Sequence, residues 1–91
     1  DTKLVLAKKT QQLKKYGALD CESCDFNFQV KYGDLGKGFI ECHQQIPLYQ
    51  YEGIQETHLD DLAVVCSNCH RMLHRGMDTL SVGGLRNIIS S

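Results

Sequence analysis

A chain of 91 residues supplies one thin hydrophobic core, and a core of that size usually needs a metal, disulfides or a partner to hold it. Ten Lys and Arg against eleven Asp and Glu give a formal net charge of -1, which excludes any nucleic-acid claim built on bulk electrostatics. No run of about 18 apolar residues occurs and no charged-then-apolar leader precedes a small-residue cleavage site, so neither a membrane span nor a secretion signal is expected.

The first predicted element is a helix over residues 2–16, TKLVLAKKTQQLKKY. Leu6, Thr10, Leu13 and Gly17 fall on one stripe, five lysines lie mostly elsewhere, and Gly17 is placed to end the helix. This describes an amphipathic helix with a basic outer face, solvated in the ordinary case and able to touch phosphate in the minority case. The chain opens at Asp1, inside this helical segment and without a start signal, which reads as a fragment of a longer protein.

Next comes CESCDFNFQVKYGDLGKGF, with the first of two C-x-x-C pairs. Phe26, Phe28, Val30 and Tyr32 recur at period two, as in a strand, yet Phe28 and Tyr32 also fit one helical turn, so both assignments stay open. In either case the aromatics are expected to pack as core against the cysteine turn, and Gly33, Gly36 and Gly38 mark the loop that follows.

A hairpin follows, with GFIECH at 38–43 as one strand and LAVVC at 62–66 as the other. The polar stretch from Gln44 to Asp61, broken by Pro47 and Gly53, joins them as a long loop. A helix then begins near Ser67 or Asn68, either of which can cap it, and runs through His70, Met72, Leu73 and His74 to Gly76. Strand, loop, strand and helix make a ββα unit. The tail TLSVGGLRNIIS predicts a short helix with Leu85, Ile88 and Ile89 packing inward. The predicted fold class is therefore small α+β: one domain over 1–91, with an N-terminal helix at 1–17, a cysteine knuckle and ββα core at 18–78, and a C-terminal helix at 79–91.

Cysteine usage is the strongest chemical signal. Cys21 pairs by spacing with Cys24, Cys66 pairs with Cys69, and Cys42 stands alone. Two thiolates three residues apart on a tight turn can both reach one tetrahedral zinc ion at about 2.3 Å. An odd cysteine and the lack of a leader argue against two disulfides and for a structural zinc in a reducing compartment. Near that knuckle, His70 and His74 are four apart, hence on one helix face, where an i, i+4 pair can chelate one ion. Cys69 precedes His70 and points about 100° away around the helix, so two metal sites with separate ligands are expected side by side. His43, at the end of the first strand, is the natural third histidine ligand.

Taken together, Cys21-x-x-Cys24, YGDLGKGFIECH, IPL at 46–48 and DLAVVCSNCHRMLHR resemble the HNH endonucleases of the ββα-metal (His-Me finger) fold. The closest likeness is to the zinc-knuckle branch at the C-terminal end of modification-dependent restriction enzymes, and it covers most of the chain. The resemblance implies a prokaryotic, cytoplasmic hydrolase of phosphodiester bonds in double-stranded DNA, modified or unmodified, with a homodimer accounting for cleavage of both strands. It also implies one catalytic divalent ion (Mg, Mn, Ni or Zn) beside the structural zinc. In such nucleases two consecutive histidines end the first strand, the first binding metal and the second serving as general base; those positions are His43 and Gln44 here. His70 falls on a metal-ligand position, and His74 on a further ligand or phosphate contact. The asparagine that ties the loop and orients the base falls by spacing on Asp61, with Asn68 as the other candidate.

The departure at Gln44 matters, because a carboxamide cannot take up a proton near neutral pH. A catalytically impaired form follows, and both a change made to trap a substrate complex and a natural loss of activity fit it. Two alternatives stay open: a register shifted so that His43 is the base and Cys42 or Glu41 binds metal, and a zinc-stapled module that binds nucleic acid or protein without cleaving. A small metallohydrolase for other substrates ranks last, since no Gly-rich or carboxylate-rich pocket stretch is present.

Overall fold

The computed structural model describes residues 2–45 and 58–91. The IPL tripeptide and the loop breakers Pro47 and Gly53 lie outside the described residues. Helix α1 spans Thr2–Tyr16, α2 Phe28–Tyr32, strand β1 Glu41–Gln44, β2 Leu62–Val65, α3 Ser67–Arg75 and α4 Val82–Ser90. Single 3₁₀ turns precede β2 at Leu59–Asp61 and follow α3 at Met77–Thr79. The α+β class and the ββα order are as the sequence predicts.

β1 and β2 pair antiparallel, with Glu41 opposite Val65, Cys42 opposite Val64, His43 opposite Ala63 and Gln44 opposite Leu62. All four β2 residues are buried, because both faces of this short hairpin are covered. Ala63 and Val65 face a cluster with Cys21, Cys66, Cys69, Leu73, Val82 and Leu85. Val64 turns the other way, to Leu19 and Ile40, with Cys42 and Phe28 packed against them. The outward backbone groups of Val64 are satisfied by one residue: Glu22 donates its N–H to the Val64 carbonyl at 2.9 Å, and its carboxylate accepts the Val64 N–H at 2.6 Å. That closes an otherwise open sheet edge.

The aromatic stretch resolves as helix. Asn27 caps α2 by accepting the Val30 N–H at 2.9 Å, and its own amide donates to Asp20 at 2.8 Å. A capped turn lets Phe28 meet Phe26 and Phe39 edge-on, with ring centroids 4.9 and 4.7 Å apart, whereas period two would have sent Phe26 and Phe28 the same way along a strand. Val30 is left in solvent.

Two expectations about which side faces in are corrected. On α1 the buried residues are Lys8 and Gln12, while Leu6 and Leu13 are exposed. The helix is seated along Val5, Lys8 and Gln12 rather than Leu6 and Leu13; the Lys8 stem covers apolar surface while its Nζ donates to Gln11 at 3.0 Å. On α4 only Val82 and Leu85 are buried; Ile88 and Ile89 stay 61% and 49% exposed, lining an open apolar hollow rather than filling the core. The expected stop at Gly17 is present: its φ of 76° closes α1, and its N–H returns to the Leu13 carbonyl at 2.8 Å.

Two glycines make opposite predictions. A Cβ at Gly36 would overlap the backbone carbonyl of Phe28, so Gly36→Ala should destabilise the protein by about 1–3 kcal/mol. A Cβ at Gly83, inside α4, meets nothing, so Gly83→Ala should be neutral or stabilising by up to about 1 kcal/mol. Thermal melts of the two variants beside the parent check both signs.

Candidate functional site

Helix α3 carries ligands for two clusters because its first residues leave β2 directly. The chain turns at Cys66, whose extended backbone (φ -73°, ψ 166°) makes it the N-cap, and the Cys66 sulfur accepts the Cys69 N–H at 3.4 Å. Ser67 and Asn68, expected as caps, are instead the first two helical residues. The cap is a cysteine because its sulfur must already sit at the helix start to join the cluster.

Cys21, Cys24, Cys66 and Cys69 bring their sulfurs within 4.8 Å of one another, and all are free thiols. The Cys24 and Cys66 sulfurs are 3.7 Å apart. Four sulfurs held tetrahedrally at about 2.3 Å from one ion lie about 3.8 Å from each other, so the donor set fits zinc. The Cys21 sulfur accepts the Ser23 N–H at 3.4 Å, mirroring the Cys66 arrangement on the other knuckle. Burial pushes the Cys24 and Cys69 thiols up; Cys21 is also raised by burial, but backbone hydrogen bonds from Cys66, Ser23 and Cys24 bring it below the ordinary thiol range. Ser23 donates its hydroxyl to the Val82 carbonyl at 3.0 Å, and Arg86 pairs with Asp25 at 2.6 Å, so α4 is tied to the first knuckle.

The second cluster lies between β1 and α3. His43, His70 and His74 offer nitrogens within 4.8 Å of one another, and the three rings are 4.7 to 5.5 Å apart between centroids. His70 Nε2 and His74 Nε2 approach to 3.0 Å. His43 Nδ1 is buried with no hydrogen-bond partner among the described residues. Burial, and then the charges of His70 and His74, hold the His43 imidazole below its usual value, which keeps it neutral with a lone pair to give. A buried nitrogen without a partner beside two converging imidazoles is what a divalent ion would satisfy, so these residues fit a metal.

Sequence reasoning named Glu41 only as a metal ligand of the shifted register and missed its contact with this cluster. Glu41 lies two residues before His43 and so on the same face of β1. One of its oxygens meets His70 Nδ1 at 2.7 Å and the other accepts the Ser67 hydroxyl at 2.6 Å. Those hydrogen bonds, from Ser67 first and His70 second, hold the Glu41 carboxyl below the usual carboxylate range. The i, i+2 spacing of Glu41 and His43 was the available signal.

The remaining predicted residues take these places. Gln44 ends β1, and its buried amide nitrogen has no partner among the described residues. Asp61 joins the two strand ends: its carbonyl accepts the Gln45 N–H at 2.8 Å, and its carboxylate accepts the His58 N–H at 3.2 Å. Asn68 is exposed on the opposite side of α3 from the histidines, where it lines an open apolar hollow of about 970 Å³ together with Phe26, Met72 and Ile89. Cys42 points to the Leu19, Ile40 and Val64 cluster, away from the imidazoles.

A two-stranded hairpin leading into a helix, with three imidazoles between strand and helix and four thiols at the helix start, defines a small ββα metal-binding domain. Residues 21–76, more than half of the chain, match the model of the HNH endonuclease family, and the chain belongs to that family. The matched span contains every member of both clusters. Comparisons with curated proteins and with solved structures find no match.

Removing the ion from the four-thiol cluster with a strong chelator, or substituting Cys21→Ser, should abolish the cooperative melt, because structural zinc contributes on the order of 10 kcal/mol in small modules. A cooperative transition that survives verified loss of metal would refute the structural role.

The depressed His43 gives a stability term of definite sign. Unfolded, the imidazole titrates near pH ~6.5; folded, it binds a proton only at lower pH. Stability from this group is therefore complete above about pH 6.5 and is lost as pH falls from there toward the folded value. The difference in melting temperature between the parent and His43→Gln, with the histidine cluster metal-free, should narrow between pH 7 and pH 5.

Proposed function

We propose that this is a metal-dependent endonuclease domain of restriction type that hydrolyses phosphodiester bonds in DNA, and that Gln44 impairs it in its present form. The observation that carries the reading is the convergence of His43, His70 and His74 between β1 and α3 of a ββα unit. His43 and His70 would hold the catalytic ion, with His74 as a further ligand or a contact to phosphate. That ion, when bound, supplies the positive charge that polarises the scissile phosphate and stabilises the leaving oxygen. Magnesium, manganese, nickel and zinc are the candidate ions there, imidazole favouring the last two. The four thiolates complete a closed shell with no open position, so the zinc they would hold is structural.

The placement of the neighbouring residues supports this assignment over the shifted register. Cys42 is packed among apolar side chains on the other face, and both Glu41 oxygens are already engaged by Ser67 and His70. Asp61 supports the loop-tying role, since it links His58 to Gln45 across the hairpin ends, whereas Asn68 stands on the far side of α3. Gln44 follows His43 at the end of β1, the position at which the family likeness puts the base. Gln44 can orient a water there but cannot take its proton. The partner would be double-stranded DNA, cut on both strands by two copies, with sequence or base modification read by a separate domain.

The same glutamine favours a second reading, a zinc-stapled binding module without catalysis. Plasmid nicking in several divalent ions separates the two. Gln44→His should raise the cleavage rate by about 10² to 10⁴ and introduce a pH dependence near pH ~6.5. Brisk cleavage by the parent would mean another group is the base, and no cleavage by Gln44→His, tested with its DNA-recognition domain, would leave the binding module. Independently, His70→Ala should abolish calorimetric binding of an added divalent ion while the thiolate metal stays in place.

A further inference from the structure

Glu41 is unassigned by the HNH-type reading, yet it makes the two shortest side-chain contacts around the histidine cluster. Its position follows from strand geometry: Glu41 and His43 point from β1 toward α3, where Ser67, His70 and His74 form an i, i+3, i+7 stripe. Ser67 in the first turn of α3 donates to Glu41 Oε2 at 2.6 Å, and His70 one turn later meets Glu41 Oε1 at 2.7 Å. The carboxylate is thus held at both oxygens by one helix, and an ionised carboxylate can only accept. His70 must then carry its proton on Nδ1, which leaves the Nε2 lone pair free on the side of His74, 3.0 Å away.

We propose that Glu41 is a positioning residue: anchored by Ser67, it fixes the Nδ1–H tautomer and the ring angle of His70 and so presents Nε2 to the divalent ion. The proposal deepens the nuclease reading and rests on it only for the identity of the ligand. Without Glu41, His70 is free to carry its proton on Nε2 and donate to His74, so that His70 must itself exchange tautomer when an ion binds. With Glu41, the lone pair is set before the ion arrives, and the neighbouring negative charge makes the imidazole a stronger donor. In the metal-free protein His74 donates from Nε2 to His70 Nε2, and only His74 has to exchange its tautomer on binding.

The experiment has two independent readouts on protein whose four-thiol site is loaded with zinc. The first is ¹⁵N and ¹H NMR of the histidine rings without a second metal. The parent should show His70 protonated on Nδ1 with a hydrogen-bonded, slowly exchanging ring proton, and Glu41→Ala should lose that signal and shift toward the Nε2–H form. The second is calorimetry of nickel or manganese at the histidine cluster. Glu41→Ala should weaken binding by about 10- to 100-fold, the usual effect of losing a carboxylate behind a metal-bound histidine. Glu41→Gln, which can still accept from Nδ1–H, should keep the tautomer and lose less affinity, and Ser67→Ala should fall between it and the parent; these two milder variants also cover a failure of Glu41→Ala to fold. An unchanged tautomer together with unchanged affinity in the folded Glu41→Ala or Ser67→Ala protein would overturn the proposal. If the parent binds no ion at the histidines, the nuclease reading fails, while the NMR result on metal-free protein still decides whether Glu41 sets the His70 tautomer.

Discussion

Cys69 and His70 are neighbours in the chain but about 100° apart around α3, and that angular step governs the rest of the molecule. One face of the helix must deliver Cys69 and Leu73 to the buried side, where the first knuckle and α4 close over them. The adjacent face must deliver Ser67, His70 and His74 to β1. A helix with two such obligations cannot rotate to relieve either, so the thiol cluster and the imidazole cluster hold each other in register. Loss of the first should therefore disorder the second, while loss of a histidine leaves the thiols intact.

The hairpin contributes through its brevity. Four residues per strand are enough to bury β2 on both faces and to aim Glu41 and His43 at the helix, and Glu22 satisfies the outward groups of Val64 that a longer sheet would have paired. The hydrogen bond from Gln45 to Asp61 then closes the pair at the end where His43 and Gln44 sit. A three-imidazole cluster is useful to a metal only if its lone pairs already converge.

The proposed reading separates metal holding at the histidines from proton transfer at position 44. The imidazoles are supported by burial at His43 and by the Glu41 carboxylate at His70. At position 44 the buried amide nitrogen finds no partner among the described residues. On the proposed reading, the site would keep its metal donors and lack the proton acceptor. The Gln44→His comparison bears on that asymmetry directly.

Local spacing was enough for several features. The C-x-x-C pairs, the i, i+4 histidines, the strand compositions around His43 and Ala63 and the stop at Gly17 are each written within a few residues, because turn geometry and helical period act at that range. Facing and partnership were not legible in the same way. Lys8 and Gln12 turn inward and Ile88 and Ile89 outward according to where α1 and α4 dock, which hydropathy within one helix does not encode. Phe28 became helical because Asn27 caps it and Phe39, eleven residues later, meets its ring. Glu41 acquired its place only when folding brought it to His70 and Ser67, 29 and 26 residues away. The sequence by itself determined which residues could bind metal, since donor chemistry and short-range spacing belong to the chain; the tertiary structure decided which lone pairs converge and what holds them, since those depend on contacts between distant segments.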